Sequence, residues 1–212
     1  MTHVHWDHVQ GLPFFLPVAP PTASSFDVYG PPTPDCSLAE CFETFVSPPF
    51  FPVSIGDLPG RVTFHDAIDT EIAVGQAKVT IRTVPHTGLT NGYRIEQDGV
   101  TVTYISDHQM PIDGSGFITD DVLELCDGAD LLIHDAQYTP EEFAAKAHWG
   151  HCTVDYAVHV GAEAGVKRLA LFHHDPSHDD AMVDCLVAGA RATAAGRIDE
   201  VFAAAEGLTV VL

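Results

Sequence analysis

The rhythm of apolar and polar positions changes character at Arg61. From there to Ser106 four segments alternate β-branched or aromatic residues with polar ones: Arg61–His65, Lys78–Val84, Gly92–Gln97 and Val100–Ser106. A period of two sends successive side chains to opposite faces of a sheet, so these segments predict half-buried strands. Asp98-Gly99, between the last two, is the pair favoured in a tight two-residue hairpin, where both turn positions need φ > 0. Beyond Ser106 helices and strands alternate. A helix is predicted near Asp120–Cys126, a strand at Leu131–His134, and a second helix opened by Thr139-Pro140. Thr139 with Glu142 makes a capping box, and Pro140 takes the favoured first helical position. A helix from Thr153 to Ala164, closed by Gly165, leads to a buried strand at Arg168–Phe172. A helix over Asp179–Ala195 ends at Gly196, and terminal strands are expected at Glu200–Ala203 and Leu208–Leu212. An antiparallel meander followed by alternating helices and strands predicts a layered α/β sandwich.

Ahead of Arg61 the pattern is irregular. Leu12 to Pro59 holds Pro20-Pro21, Pro31-Pro32 and Pro48-Pro49, the last followed by Phe50-Phe51. Proline at this density favours loops and short helices. Ser37–Val46 reads as one helix, with Ser37 as cap and Glu40 three residues on. Phe14, Phe15, Phe50 and Phe51 are expected to pack a core or wall one side of a cleft. There is no internal repeat, and residues 1–212 are expected to form a single domain in which 12–59 is an insertion or cleft-wall segment.

Composition narrows the functional classes. Apolar residues make up 46% of the chain against 18% charged, which predicts a globular protein. No apolar run approaches the roughly 18 residues that a membrane-spanning helix needs. The net charge of -21, from 30 acidic and 9 basic residues, repels polyanions, so an extended nucleic acid is disfavoured as partner. A small anionic substrate stays compatible, because bound dications invert the local field. Five scattered cysteines without a CxxC predict reduced thiols in a cytoplasmic protein. Residues 1–20 lack the basic start and apolar run of a secretory signal.

The densest chemistry lies at the start, where Thr2-His3-Val4-His5-Trp6-Asp7-His8 follows Met1. In an extended segment residues i and i+2 point the same way, so His3 and His5 can grip one ion. Asp7 and His8 follow at a turn and can face a second. Imidazole and carboxylate together suit zinc, iron or manganese, with zinc the commonest hydrolytic choice. The bland alternative is a solvated tail with accidental histidines, and residues further along weigh against it.

This HxHxDH string resembles the signature of the metallo-β-lactamase superfamily, and the resemblance runs over almost the whole chain, to His173 and beyond. In that family a histidine at a strand end comes next, and His86 in Val84-Pro85-His86-Thr87-Gly88 matches it. A bridging aspartate follows, matched by Asp107 after Thr103-Tyr104-Ile105-Ser106. The last ligand is a histidine after an apolar strand, matched by His173 after Leu169-Ala170-Leu171-Phe172. The resemblance implies His3, His5 and His86 on one divalent ion, Asp7, His8 and His173 on another, and Asp107 bridging them. His174 competes for the last place, and the strand feeding directly into His173 favours the latter. Leu131-Leu132-Ile133-His134-Asp135-Ala136 and Gly150-His151-Cys152-Thr153 look like the phosphodiesterase branch, which includes RNase Z and small cyclic-phosphate phosphodiesterases. There an acid at the position of Asp135, ordinarily glutamate, supports a histidine at the position of His151 that faces the scissile phosphate. The shorter aspartate here alters the reach of that pair. A histidine oriented by a carboxylate can donate a proton to a leaving oxygen. A plain structural hydrogen bond near a helix start is the alternative.

The resemblance therefore implies a metallo-β-lactamase-like αββα sandwich and a dinuclear metal-dependent hydrolase, with Asp7, Asp135 and His151 in catalytic roles. Two dications, zinc or else manganese or iron, would share a hydroxide. A small or cyclic phosphodiester suits the acidic surface better than tRNA, and nothing resembles the Gly- and Lys-rich RNA-gripping arm of RNase Z. A lactonase or thioesterase on the same metal scaffold would need an apolar pocket, which the Phe-rich segment 14–51 can supply. A non-catalytic binding module, or truncated family member, is the other class. Family members enter the HxHxDH loop from a buried strand, whereas here Met1 stands where that strand ends. The expectation is an N-terminally incomplete sandwich, with a bared sheet edge that invites homodimerisation. His65, His148 and His159 are expected at the surface or as satisfied core residues, and His108 is expected to line the pocket.

Overall fold

The computed structural model describes residues 1–15 and 25–212, so the Pro20-Pro21 pair lies outside the described residues. The chain forms two compact units, Met1–Ile68 and Asp69–Leu212.

In the first unit an extended start leads into a one-turn helix, α1 (Trp6–Val9), and a 3-10 turn at Leu12–Phe14. Strand β1 (Ser25–Gly30), helix α2 (Leu38–Phe45) and strand β2 (Arg61–Asp66) follow. β1 and β2 pair in parallel, from Ser25 opposite Arg61 to Gly30 opposite Asp66, with α2 in the crossover between them. The capping box is formed as expected: Glu40 N donates to Ser37 Oγ at 3.3 Å, and Ser37 N donates to Glu40 Oε2 at 2.8 Å. Asp66 at the end of β2 accepts from Leu38 N at 2.8 Å, which fixes the start of α2 against the strand. Val28, Leu38, Phe42 and Val46 make the core, with Phe64 stacked on Phe42 at 4.7 Å between centroids. His65 is satisfied by Asp27 at 2.7 Å and by stacking on Tyr29.

Three expectations change in this unit. β1 lies in a stretch expected to be loop and short helix; its Phe-Asp-Val-Tyr alternation is short, and the prolines at 31 and 32 mask it. The cysteines are not all reduced, because Cys36 and Cys41 form a disulfide across the first turn of α2, leaving Cys126, Cys152 and Cys185 as thiols. Phe14, Phe15 and Phe50 are exposed, so they are no part of the core.

In the second unit strands β3 (Glu71–Val74), β4 (Ala77–Thr83), β5 (Asn91–Gln97), β6 (Val100–Ile105), β7 (Leu131–Asp135), β8 (Arg168–Phe172) and β9 (Glu200–Ala203) form one sheet in chain order. Pairing is antiparallel from β3 to β6 and parallel from β6 to β9. Because β4 and β6 both run against β5, the strands β4, β6, β7 and β8 share one direction. Their carboxyl ends therefore fall on one edge of the sheet, where open α/β sheets ordinarily place chemistry. The β5–β6 hairpin turns at Asp98 and Gly99, with φ of 53° and 82°, as the sequence pair demanded.

Helices α3 (Asp120–Cys126), α4 (Pro140–Lys146), α5 (Val154–Glu163) and α6 (Asp180–Ala194) fall where the pattern placed them, each capped by the side chain of the preceding Thr or Asp. Ile105, Leu125, Leu132, Val158, Val160 and Leu169 are buried together in the core that α3 and α5 share with the sheet. β3 was unforeseen, being four residues long. The expected strand at Leu208–Leu212 does not form. The chain turns at Gly207 with φ of 76°, and Val211 O accepts from Arg168 Nη1 at 3.1 Å in place of a ladder.

Gly92 on β5 marks the tightest point of this core. A Cβ there would lie 2.6 Å from Leu125 Cδ1 and 2.9 Å from Val84 Cγ1. Gly92→Ala is expected to destabilise the protein by about 1–3 kcal/mol through overpacking. In urea denaturation the midpoint should fall with an unchanged slope; an unchanged midpoint would mean that the core is looser than these distances imply.

Candidate functional site

The first unit gathers His3, His5, Asp7 and His8. Residues 1–5 lie outside any helix or strand, His5 has extended backbone and precedes α1, and the chain turns between His5 and His8, where His8 N donates to His5 O at 3.0 Å. Thr2 Oγ1 lies 3.2 Å from His3 Nδ1 and 3.4 Å from His8 Nδ1, holding both rings by the same nitrogen. His3 Nε2 and His5 Nδ1 are 2.8 Å apart, and His8 Nε2 is 3.2 Å from Asp7 Oδ2. Neutral imidazoles this close share one proton between facing lone pairs, or else share a cation.

The second unit gathers His86, Asp107, Asp135, His151 and His173. His86 follows β4, Asp107 follows β6, Asp135 ends β7 and His173 follows β8, all at the shared carboxyl edge. His151 lies in the α4–α5 loop. Asp107 is buried, and its Oδ2 lies 3.9 Å from His86 Nε2, 3.6 Å from His173 Nε2 and 3.8 Å from His151 Nδ1. These separations are too long for hydrogen bonds. Ligands of one tetrahedral zinc, each about 2.0–2.1 Å from it, sit roughly 3.4 Å apart, which is close to what is seen. Asp107, His151 and His173 bring one ligand atom each within 4.8 Å of one another. His174 is not in that set, and its Nε2 is buried with no hydrogen-bond partner.

Two rings are oriented through the nitrogen away from Asp107. His86 Nδ1 donates to Gly150 O at 2.6 Å, which leaves the lone pair on Nε2. His173 Nδ1 donates to Gln137 Oε1 at 3.2 Å, with the same consequence. Imidazoles that ligate metals are ordinarily fixed in this way by a carbonyl or carboxylate. His173 also adopts φ of 57°, a left-handed conformation that costs a non-glycine residue about 1–2 kcal/mol. Such strain clusters at functional sites, where surrounding contacts impose it.

His151 differs in that its Nδ1 faces a carboxylate at bonding distance, Asp135 Oδ2 at 2.9 Å. Asp135 also accepts from His108 N at 2.9 Å and Gln137 N at 3.0 Å. Burial pushes the Asp135 carboxyl well above the ordinary carboxylate range, against the pull of these N–H donors and of His173. Its raised basicity makes it a strong acceptor for the His151 Nδ1 proton. Beneath this pair lie His108 and His134, both buried, with Nδ1 of the former 2.9 Å from Nε2 of the latter. Burial pushes His134 down to about 4 and His108 well below the usual histidine range, so both rings are neutral at pH 7. The roles of Gln137, Gly150 and His134 escaped the sequence analysis, as did Gln109, whose Oε1 accepts from Gly150 N at 2.9 Å. Only the Asp-Ala-Gln run after a strand and the glycine beside His151 could have flagged them.

Gly150 allows the close approach to His86: its φ is 96°, and a Cβ would lie 2.4 Å from both Cε1 and Nδ1 of the imidazole. Gly150→Ala is expected to displace His86 and weaken divalent-metal affinity by about 10–100-fold, the usual loss when a ligand's support is removed. Chelator competition measures this, and an affinity equal to wild type would show that His86 is held by other means.

Comparison with known proteins identifies the family. Residues 1–174 match the family model described as a beta-lactamase superfamily domain. A ribonuclease Z of Natronomonas pharaonis is 26% identical over 210 residues, covering 82% of this chain and 68% of that protein. The metallo-beta-lactamase fold protein YhfI of Bacillus subtilis superposes with a TM-score of 0.71 at 20% identity, over 98% of this chain and 73% of that one. Human tRNase Z, short form, gives 0.64 at 21% identity, over 82% and 71%. The chain belongs to the beta-lactamase superfamily domain family, with the α/β sandwich fold of the metallo-β-lactamases.

Proposed function

We propose that this protein is a metal-dependent phosphodiesterase acting on a small or cyclic phosphodiester. The observation that carries the reading is the Asp135–His151 pair, bonded at 2.9 Å and set beside the Asp107 cluster. A lactonase or thioesterase has no need of a proton donor aimed at an ester oxygen of phosphorus. The relatives named ribonuclease Z support the same bond class.

His3, His5, Asp7, His8, His86, Asp107 and His173 are the residues that would hold two divalent ions, zinc or else manganese or iron. Nitrogen and carboxylate donors with lone pairs turned inward fit such ions. Bound there, the ions would neutralise phosphate charge and lower the pKa of water. The remaining work falls to the chain. Gly150 O and Gln137 fix the tautomers of His86 and His173. Asp135 holds the Nδ1 proton of His151, so that the doubly protonated ring passes its Nε2 proton to the departing oxygen and is left as the neutral imidazole. Asp107 and, by the family resemblance, Asp7 are the carboxylates that would accept hydrogen bonds from the attacking water. The ribonuclease names of the relatives favour RNA as a second substrate, against the repulsion expected from a net charge of -21.

Hydrolysis of bis(4-nitrophenyl) phosphate by the metal-loaded chain is expected, and His86→Ala should abolish it. His151→Ala should lower kcat by about 10²–10⁴ on a phosphodiester with an alkyl leaving group, and far less on the nitrophenyl ester, whose leaving group needs little protonation. Equal losses on the two esters would remove the proton-donor role. A structured RNA, a lactone and a thioester belong in the same assay: preference for either of the latter two would displace the phosphodiester reading, and preference for RNA would replace the small substrate.

A further inference from the structure

The first unit carries an aromatic surface that its fold does not require. Trp6, Phe14 and Phe50 are 60%, 73% and 76% exposed, in one patch with half-buried Phe45 and Phe51. Burying these rings in the core of this unit would stabilise it, so their exposure points to a ligand. They line a cup of about 200 Å³ together with Gln10 and Pro13. That is below the roughly 300–1,000 Å³ of pockets for drug-sized ligands and suits a single ring system.

The walls indicate the occupant. Trp6 meets Phe45 edge to face at 5.8 Å, and Phe14 meets Phe51 in the same way at 6.0 Å. Fixed in this geometry, the rings offer flat faces and edges that a planar group complements better than a flexible chain. No charged side chain lines the cup among the described residues, so the group it takes is neutral. Gln10, exposed at the rim, supplies an amide that can donate to and accept from a polar ring edge. Trp6 stands one peptide bond from both His5 and Asp7, so the chain itself joins the cup to the histidine cluster of this unit.

We propose that this cup is the subsite for a planar, uncharged heteroaromatic group, a nucleobase carried by the phosphodiester. The proposal rests on the phosphodiesterase reading for the bond cleaved, but the binding of the base does not. Base–aromatic stacking tolerates sequence and draws on the ring faces, and the amide reads the edge. Trp6, Phe14 and Phe50 are then specificity-determining residues.

The chain has two tryptophans, Trp6 and Trp149, so Trp149→Phe leaves Trp6 as the sole indole reporter. In that background adenosine should quench the fluorescence saturably and ribose should not. Phe14→Ala with Phe50→Ala should weaken adenosine binding roughly ten-fold or more, while Phe14→Leu with Phe50→Leu should also lose it but keep any affinity for an acyl chain. Both rings are exposed, so an unchanged melting temperature verifies folding. No adenosine response overturns the proposal. So does equal binding in the alanine pair, saturation by an acyl lactone in place of adenosine, or a self-association lost in the alanine pair without any adenosine response. Adenosine binding in a chain that hydrolyses no phosphodiester would sink the phosphodiesterase reading and leave the subsite standing. Hydrolysis of a nucleotide diester with unchanged KM in the alanine pair would do the reverse.

Discussion

A buried carboxylate ringed by imidazoles constrains everything else in the second unit. Asp107 is 2% exposed, and three histidine nitrogens stand 3.6–3.9 Å from its Oδ2. An isolated carboxylate so placed would be driven to the neutral form. His151 turns its Nδ1 to Asp135 at 2.9 Å, whereas His86 and His173 stand at separations from Asp107 that match ligands sharing a cation with it. Their orientation is set from behind, by the Gly150 carbonyl and the Gln137 amide, and the αL backbone of His173 turns its ring out of the strand direction.

The sheet supplies this constraint at low cost in precision. Four strands that run in one direction end along one edge, and each delivers one acidic or imidazole group within a residue or three of its last paired position. That arrangement allows histidine and aspartate to come from residues 86, 107, 135 and 173 without any loop longer than the turn that carries them. Asp135 links His108 N, Gln137 N and His151. The neutral His108–His134 pair is buried beneath it, the two rings joined at 2.9 Å.

Much of this was legible in the sequence. Periodicity and caps placed α2 to α6 and most of the strands of the second unit within a residue or two, because capping boxes and the Asp98-Gly99 turn are local chemistry. The candidate histidine and aspartate positions came from the family resemblance, and the fold sets His86, Asp107, Asp135 and His173 at or just after strand ends. What stayed hidden depends on tertiary contacts. β1 sits among prolines, β3 is too short for its period to register, and the 208–212 segment has strand character but no ladder to join. Gln137 and Gly150 are ordinary residues whose roles exist only because the fold brings His173 and His86 against them. The Cys36–Cys41 bridge required α2 to wind one turn between them. Of the phenylalanines expected to pack a core or wall a cleft, Phe14 and Phe50 are exposed and line a cup.

The central claim is that this histidine- and aspartate-rich constellation binds divalent metal and that the metal is required for phosphodiester hydrolysis. Metal analysis of the full chain, together with its hydrolysis rate before chelation, after chelation and after reconstitution with zinc or manganese, tests it most directly. Two equivalents of metal per chain should be found, with the rate lost on chelation and recovered on reconstitution. A chain that holds no metal, or whose rate survives complete removal of the metal, would contradict the account.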